Sequence, residues 1–554
     1  MRRRRVFVAA LVLAGLAGGV IALVLVLSGP SGRERIVSGR SRIVHDALQV
    51  SGRLKPLKAK IFHVHPTRRF PHISIAERRK HQREPLNESP RKPTRSAAPG
   101  ASFVKSSSVA STAAKGLPAS PTASDGALFA GARLISGLDL SFTAEPSVAA
   151  NDGRILETWN WGAALSGDDG KTFSFVDPST AFPESHDGFC CDQLAYYVPK
   201  WDLWIWLIQY SPDEDGNILR LAVARGSAAF DEARLNSTTF KLFDLSPTSF
   251  GWPKSAWFDF NGISSTDQNL FVATNVSDTA YEGVVIRIPL SELASGTLNL
   301  PDVQYWKTAP LSTPRLVQGA GDTMYFASHL KTSKLRVWTW ADGSDSISRV
   351  DVAHSAYKPL RIYHCPRIGG PATSDWCEGF RRDSYKNDDD VLAGWVAKNR
   401  IGFAWNAPQD PSHGFRYPFV MAVEIDAQSM KRTAQPIIWS PKYAYQYAAI
   451  APNARGDLGG IALRGGGKAY ESCTALIRDS DSSGSPSGWD AYTLDASNAD
   501  PAEPRFGDYL GIAPAGTGSN TWVAGCMDLR GGGSSRLNLA VNYLAFGRGR
   551  DAKP

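Results

Sequence analysis

Short apolar runs paired across polar turns recur through the C-terminal three quarters of the chain. The first copy, "PSVAANDGRILETWN" (146–160), places two apolar strands around the turn "NDG". Six more follow: "DQLAYYVPKWDLWIWLIQY" (192–210), "WFDFNGISSTDQNLFVATN" (257–275), "PRLVQGAGDTMYFASH" (314–329), "VLAGWVAKNRIGFAWN" (391–406), "YAAIAPNARGDLGGIALRG" (447–465) and "DYLGIAPAGTGSNTWVAGC" (508–526). Each reads as a β-hairpin. Their starts lie roughly 45 to 75 residues apart, which leaves room for two further strands and a loop, the size of a four-stranded propeller blade. The first strands carry small apolar residues ("SVAA", "VLAG", "AAIA", "LGIA"), as a strand packed on both faces near an axis requires. Segments such as "LRLAVARG", "VVIRIPL", "KLRVWTW" and "FVMAVEI" alternate instead, as outer strands should. The pattern predicts an all-β propeller over residues 131–548 with a short tail at 549–554. The copy number gives seven blades; six is the alternative, because the fifth copy sits late, and a β-sandwich pair is the structural rival. The segment "RLISGLDLSFT" (133–143) is predicted to pair beside "RLNLAVNYLAF" (536–546), closing the ring and removing its free edges.

The N-terminal part has a different pattern. Val6 to Leu27 is an uninterrupted apolar run preceded by four arginines, which predicts a single transmembrane helix within residues 1–28, with the arginines cytoplasmic and the rest of the chain outside. A cleaved signal peptide, giving a secreted protein, is the alternative, although the run is long and "SGPSG" offers no small-x-small cleavage site. Residues 29–130 read as a disordered linker, first basic ("FHVHPTRRFPHISIAERRKHQREP"), then rich in Ser, Ala and Pro. The basic half suits contact with anionic lipid or envelope polymer, or serves only as a solvated spacer.

Charge sharpens this division. The net charge of +8 is segregated: residues 29–116 hold 19 Lys/Arg against 5 Asp/Glu, and outside that stretch and the four N-terminal arginines, 38 basic residues face 48 acidic ones. The propeller region is therefore acidic and offers no phosphate-neutralising footprint, which argues against nucleic acid as a partner.

One turn carries a specific signature. "SGDDGKTF", with Ser166, Asp168, Gly170, Thr172 and Phe173, matches S-x-D-x-G-x-T-[WF] and follows the first hairpin. It resembles the Asp-box turn of the sialidase-like propellers. "RDSDSSGSPSGW" (478–489) is a degenerate second candidate. "RFGDYLGIAP" (505–514) is similar to the R-[WF]-G-D-Y segment of secreted bacterial sialidase-like repeat proteins, and "CCDQLAYYVPKWDLWIW" (190–206) to their D-P-x-V-x-Y-D hairpins. The resemblance spans about residues 133–548. It implies that the Asp box supports the fold away from the active site. It also implies that an enzyme of this kind would hold a substrate carboxylate with three arginines and use a Tyr/Glu nucleophile with an acidic aspartate. The family's F/Y-R-I-P arginine motif is absent here, where the chain reads "LFAGARLISGLDLSFTAEPSV" with an isolated Arg133. This departure weighs against a true sialidase.

The starts of the inner strands converge on one axial mouth, where propellers bind ligands. These positions supply Glu145, Asp192, Asp259, Arg315, Asp390, Arg505, Asp508 and Tyr509. Two suitably spaced carboxyls there would serve a glycoside hydrolase, with Asp192, Asp390 and Asp508 as candidates and Tyr509 as a possible nucleophile. Oxygen ligands in a ring also suit calcium. The reading preferred here is a non-catalytic module binding carbohydrate or an envelope protein at the mouth, with Glu145, Arg315 and Arg505 as ligand contacts; the same groups would otherwise cap strand ends.

Six cysteines in an extracytoplasmic domain favour disulfides. Cys365 with Cys377 would close a short loop, Cys473 with Cys526 would join the last two blades, and Cys190 with Cys191 would form a vicinal bridge unless each pairs elsewhere or stays free. No C-x-x-C or ligand-like histidine spacing supports zinc or redox chemistry. The dense tryptophans around 201–206 and 252–257 are expected in the core between blades rather than as exposed sugar platforms.

Overall fold

A computed structural model describes residues 144–551 except 214–215, 232–233, 278–281, 296, 299–302, 309–313, 357–364, 367, 369–389, 483–487, 494–496, 501–508 and 531–538. It also describes the backbone strands Val44–Asp46, Leu57–Lys58, Lys60–Phe62 and Ala127–Leu134. Arg505, Asp508, Cys377 and the apolar run 6–27 lie outside these residues. Among the described residues no helix is long and apolar enough to cross a membrane.

Among the described residues seven antiparallel sheets form the ring, beside a separate two-stranded pair that joins Leu57–Lys58 to Thr297–Leu298. The ring sheets each run outward from their first strand in chain order, three of them edged by a strand from the N-terminal side. Their first strands are Ser147–Asn151, Phe189–Val198, Trp257–Ser265, Arg315–Leu316, Val391–Ala397, Ala444–Pro452 and Gly511–Pro514, numbered here as blades 1 to 7. Each of these strands touches the next, and the last returns to the first. The ring therefore closes on seven blades, and six is excluded. Small side chains are required by this closure: a Cβ on Gly511 would lie 2.5 Å from Ser147 Cα, and one on Gly394 would lie 2.8 Å from the Leu316 carbonyl oxygen.

The outer strand of blade 7 comes from the N-terminal side. Ala127–Leu134 pairs antiparallel with Leu539–Arg548, with Ala127 opposite Arg548 and Leu134 opposite Asn542. Closure by an N-terminal strand agrees with expectation, but the strand overlaps "RLISGLDLSFT" only at Arg133 and Leu134. The apolar sequence "ALFAGARL" occupies the edge instead. The segment read as a structureless linker also contributes pairing: Val44–Asp46 adds to blade 4 along Ile347–Arg349, and Lys60–Phe62 adds to blade 2 along Phe240–Leu242. Composition gave no sign of this, because an edge strand gains its hydrogen bonds from the sheet it joins and needs no core face of its own.

Between blades, tryptophans fill the widening gaps. Trp204, Trp206, Trp340, Trp395 and Trp405 are wholly buried. Trp522 stacks on Phe546 at 5.6 Å and donates from Nε1 to the Ala451 carbonyl at 3.0 Å, coupling blade 7 to blade 6. The Cys473–Cys526 disulfide spans the same seam.

The turn at 166–173 forms as its sequence predicts. Asp168 Oδ1 accepts from Ser166 Oγ at 2.8 Å and from the Thr172 amide at 2.8 Å, while Oδ2 accepts from Thr172 Oγ1 at 2.7 Å. Partial burial pushes the Asp168 pKa up, yet the bonds from Thr172, Ser166 and Lys171 hold it below the usual value. Gly170 has φ of +76°, and a Cβ there would meet the Tyr543 ring at 2.5 Å. Phe173 packs on that same ring, with centroids 5.4 Å apart. The turn joins the third and fourth strands of blade 1, Gly162–Ser166 and Ser174–Val176. The degenerate candidate occupies the equivalent place in blade 6, where Asp479 is buried and accepts from Arg548, Arg550 and Ser482.

Candidate functional site

Inner strands of all seven blades enclose an axial channel of about 570 Å³. Its wall is built mainly from backbone and small residues, among them Ala149, Ala195, Gly394, Ala449 and Ala513. The first strands run in one direction through the ring, so their starts gather at one mouth and their ends at the other.

At the starting mouth the chain departs from regular strand geometry. The first strand of blade 3 shifts register between Asp259 and Gly262, and Phe260 adopts φ of +52°. Blades 5 and 6 shift register near Leu392 and Tyr447. Such bulges re-aim side chains out of the pleat and concentrate near functional sites. Here the bulge turns Phe260 under Arg315, whose guanidinium carbon lies 4.9 Å from the ring centroid. A tyrosine, Tyr509, meets the other side of Phe260 at 6.3 Å.

Arg315 is held by its Nε bond to the Val391 carbonyl at 3.1 Å, while Nη2 is buried without a hydrogen-bond partner. Burial pushes its pKa down, and the Asp390 carboxyl and Tyr509 oppose that shift. An arginine so placed remains a cation and supplies directed donors to whatever enters the channel. A Cβ on Gly262 would already stand 3.5 Å from Nη1, so the missing side chain leaves room for the guanidinium.

Below this cluster lies a polar relay that individual residues did not reveal. Gln209 is wholly buried, accepts from Asn261 Nδ2 at 2.7 Å, and directs its Nε2 to Asp259 Oδ1 and Cys191 Sγ, each at 3.5 Å. Cys191 is bonded to Cys190, so the vicinal pair belongs to the wall beside the mouth. Cys365 is also disulfide-bonded.

The candidate residues are thus distributed unequally. Arg315 and Tyr509 line the channel. Glu145 and Asp192 are buried beside it, with Glu145 at φ of +48° accepting from Asn160 Nδ2 at 2.7 Å. Asp390 acts on Arg315 from behind, and Asp259 joins the Gln209 relay. Phe260, Gln209 and Asn261 were missed. The one available signal was Asn261–Gly262 inside an aromatic strand, where a mid-strand glycine marks a bulge.

At the far mouth the charged lining is Lys200 and Asp267, paired with each other at 3.1 Å. Tyr197 donates to Asp202 Oδ1 at 2.8 Å and accepts from Asn151 Nδ2 at 2.9 Å; burial, then Asp202, pushes its phenol up to about 12. Among the described residues no group of three His, Cys, Asp or Glu side chains is placed to hold a metal ion.

No known family pattern matches the chain, and no curated protein matches it. Solved structures similar to it include an α-L-arabinofuranosidase from Fusarium graminearum, at 9% identity over 74% of this chain and 97% of that one with a TM-score of 0.34. A neuraminidase-like protein of A/little yellow-shouldered bat/Guatemala matches at 8% identity, 60% and 96% coverage and a TM-score of 0.32. The β-propeller domain of the Trilobed protease from Pyrococcus furiosus matches at 6% identity, 69% and 91% coverage and a TM-score of 0.35. The propeller assignment rests on the strand order and the closed ring, not on these distant likenesses.

Proposed function

We propose that the chain is a membrane-anchored, extracytoplasmic propeller whose axial channel binds a ligand without chemically transforming it, the ligand being carbohydrate or a segment of an envelope protein. The observation that carries this reading is the composition of the channel wall. Among the described residues its only carboxylate is Asp267, already paired with Lys200 at the far mouth, whereas the cation Arg315 lines the other. A glycoside hydrolase needs an acid and a nucleophile or base facing one accessible space. A binding module needs only a directed cation and aromatic surface, and Phe260 and Tyr509 supply the latter beside Arg315. The two described disulfides, Cys190–Cys191 and Cys473–Cys526, suit an oxidising compartment. The Val6–Leu27 run and its flanking arginines support the anchor.

Glycan-array binding by the detergent-purified full chain, with product analysis of each bound glycan, tests this. Binding without turnover, weakened in Arg315→Met, is the expected result. Turnover that disappears in Asp192→Asn or Tyr509→Phe would replace this reading with that of a hydrolase, which draws support from Tyr509 standing beside Arg315. Absence of any glycan binding would leave a protein segment as the ligand, to be identified by cross-linking from the channel.

A further inference from the structure

A second cavity, about 370 Å³, lies at the outer corner between blades 2 and 3. Among the described residues its cations are Arg225, Arg234 and Lys241, and no described carboxylate lines it. Arg225 and Arg234 are exposed and make no ion pair, while Lys241 Nζ is held at the rim by the Ala294 carbonyl at 3.0 Å. Of the described acids nearby, Asp231 faces Arg154 at 3.4 Å, and Asp202 accepts from Tyr197 and Ser227. Three cations with no described carboxylate among them in one concavity repel one another. Beneath them the accessible apolar lining is Ala228 and Ala294, partly exposed over Leu203, Val223 and Leu293, which are essentially buried. The lining is amphiphilic, with cations above hydrocarbon.

The N-terminal segment brings the chain to this same place. Leu57–Lys58 pairs with Thr297–Leu298, just after the helix Leu290–Ser295 that supplies Leu293. Lys60–Phe62 pairs with Phe240–Leu242, placing Ile61 opposite Lys241. The sequence then continues into residues 63–95, with nine Lys/Arg against three Asp/Glu. Cavity and following segment share one sign of charge.

We propose that this groove binds the headgroup of an anionic phospholipid, with Arg225 and Arg234 on the phosphate and the glycerol backbone against Ala228 and Ala294. The inference rests on the membrane-anchor reading for its choice of lipid. It gives the groove a purpose that a passive tether lacks: a second contact that would fix how the propeller stands at the membrane surface. Each cation near an anionic surface contributes about fivefold in affinity, so two together contribute about twenty-five- to thirtyfold.

Calorimetric titration of the full chain in neutral detergent micelles with dihexanoyl-phosphatidylglycerol tests it, with dihexanoyl-phosphatidylcholine and inorganic phosphate in parallel. Saturable binding of the anionic lipid alone, weakened at least tenfold in Arg225→Gln/Arg234→Gln, is expected. The proposal is overturned if that variant binds like the parent, or if Lys331→Gln/Lys431→Gln, which removes the same charge elsewhere, weakens binding equally. It is also overturned if inorganic phosphate binds as tightly as the lipid, since the ligand would then be a soluble anion. Carbonate extraction of membranes reports on the anchor separately: a chain that washes off refutes the anchor, while the titration still decides whether the groove recognises the headgroup.

Discussion

Glu157 offers a quantitative test of how the blades pack. It lies on the second strand of blade 1, is completely buried, and neither carboxyl oxygen has a hydrogen-bond partner. A Cβ on Gly525 of blade 7 would stand 3.1 Å from Oε1, so the carboxyl is pressed into the seam where the ring closes. Burial pushes its pKa well above the ordinary value. In the unfolded chain the same group ionises near ~4.3. Below that pH both states hold the proton and the group makes no difference to stability. Above it the unfolded chain has released its proton while the folded one has not. Stability therefore falls as pH rises, by about 1.4 kcal/mol per pH unit until the folded-state pKa is passed. Glu157→Gln removes this dependence while keeping the shape of the side chain. Urea unfolding followed by tryptophan fluorescence should show parent and variant close together at low pH. The variant should gain up to about 2 kcal/mol relative to the parent between pH 4.5 and 6.0, the gain ending where the folded-state pKa is passed. A difference between the two proteins that stays constant over that range would refute the argument, because it would mean that Glu157 ionises alike in both states.

The Arg548 and Asp479 side chains are 2% and 1% exposed and bonded at 2.9 Å. Arg548→Met should cost about 1.5–3 kcal/mol in chemical denaturation, the worth of a charge-assisted bond, since Arg550 and Ser482 still reach Asp479. Gly402 supports the Trp395 ring so closely that a Cβ would sit 2.0 Å from it; Gly402→Ala should lower the unfolding free energy by about 1–3 kcal/mol through overpacking. Arg315→Met should weaken channel ligand binding about tenfold or more, the worth of one charge-assisted hydrogen bond, and should cost about 1 kcal/mol in unfolding because the Nε bond to the Val391 carbonyl is lost.

Local periodicity and turn chemistry govern the part of this molecule that can be read along the chain. Seven hairpins, small inner strands, alternating outer strands and the Ser166–Phe173 turn all depend on residues close together in the chain, so their pattern is written where it acts. The Cys473–Cys526 bridge was a sound expectation for the same reason, once the last two copies were recognised as neighbouring blades. Tertiary structure decided everything that depends on distant segments meeting. Whether six or seven blades close is a property of the ring, not of any one repeat. The edge strands at 44–46 and 60–62 have no pattern of their own, because the sheets they join dictate their pairing. Arg315 and Tyr509 were legible as strand-start residues, but Glu145, Asp192 and Asp390 were equally so, and only packing separates those that line the channel from those beside or behind its wall. Phe260 enters the site through a bulge with a positive φ, a conformation that long-range packing imposes against local preference. The basic groove joins Arg225, Arg234 and Leu293 across two blades, and nothing in their spacing along the chain announces that they share a surface.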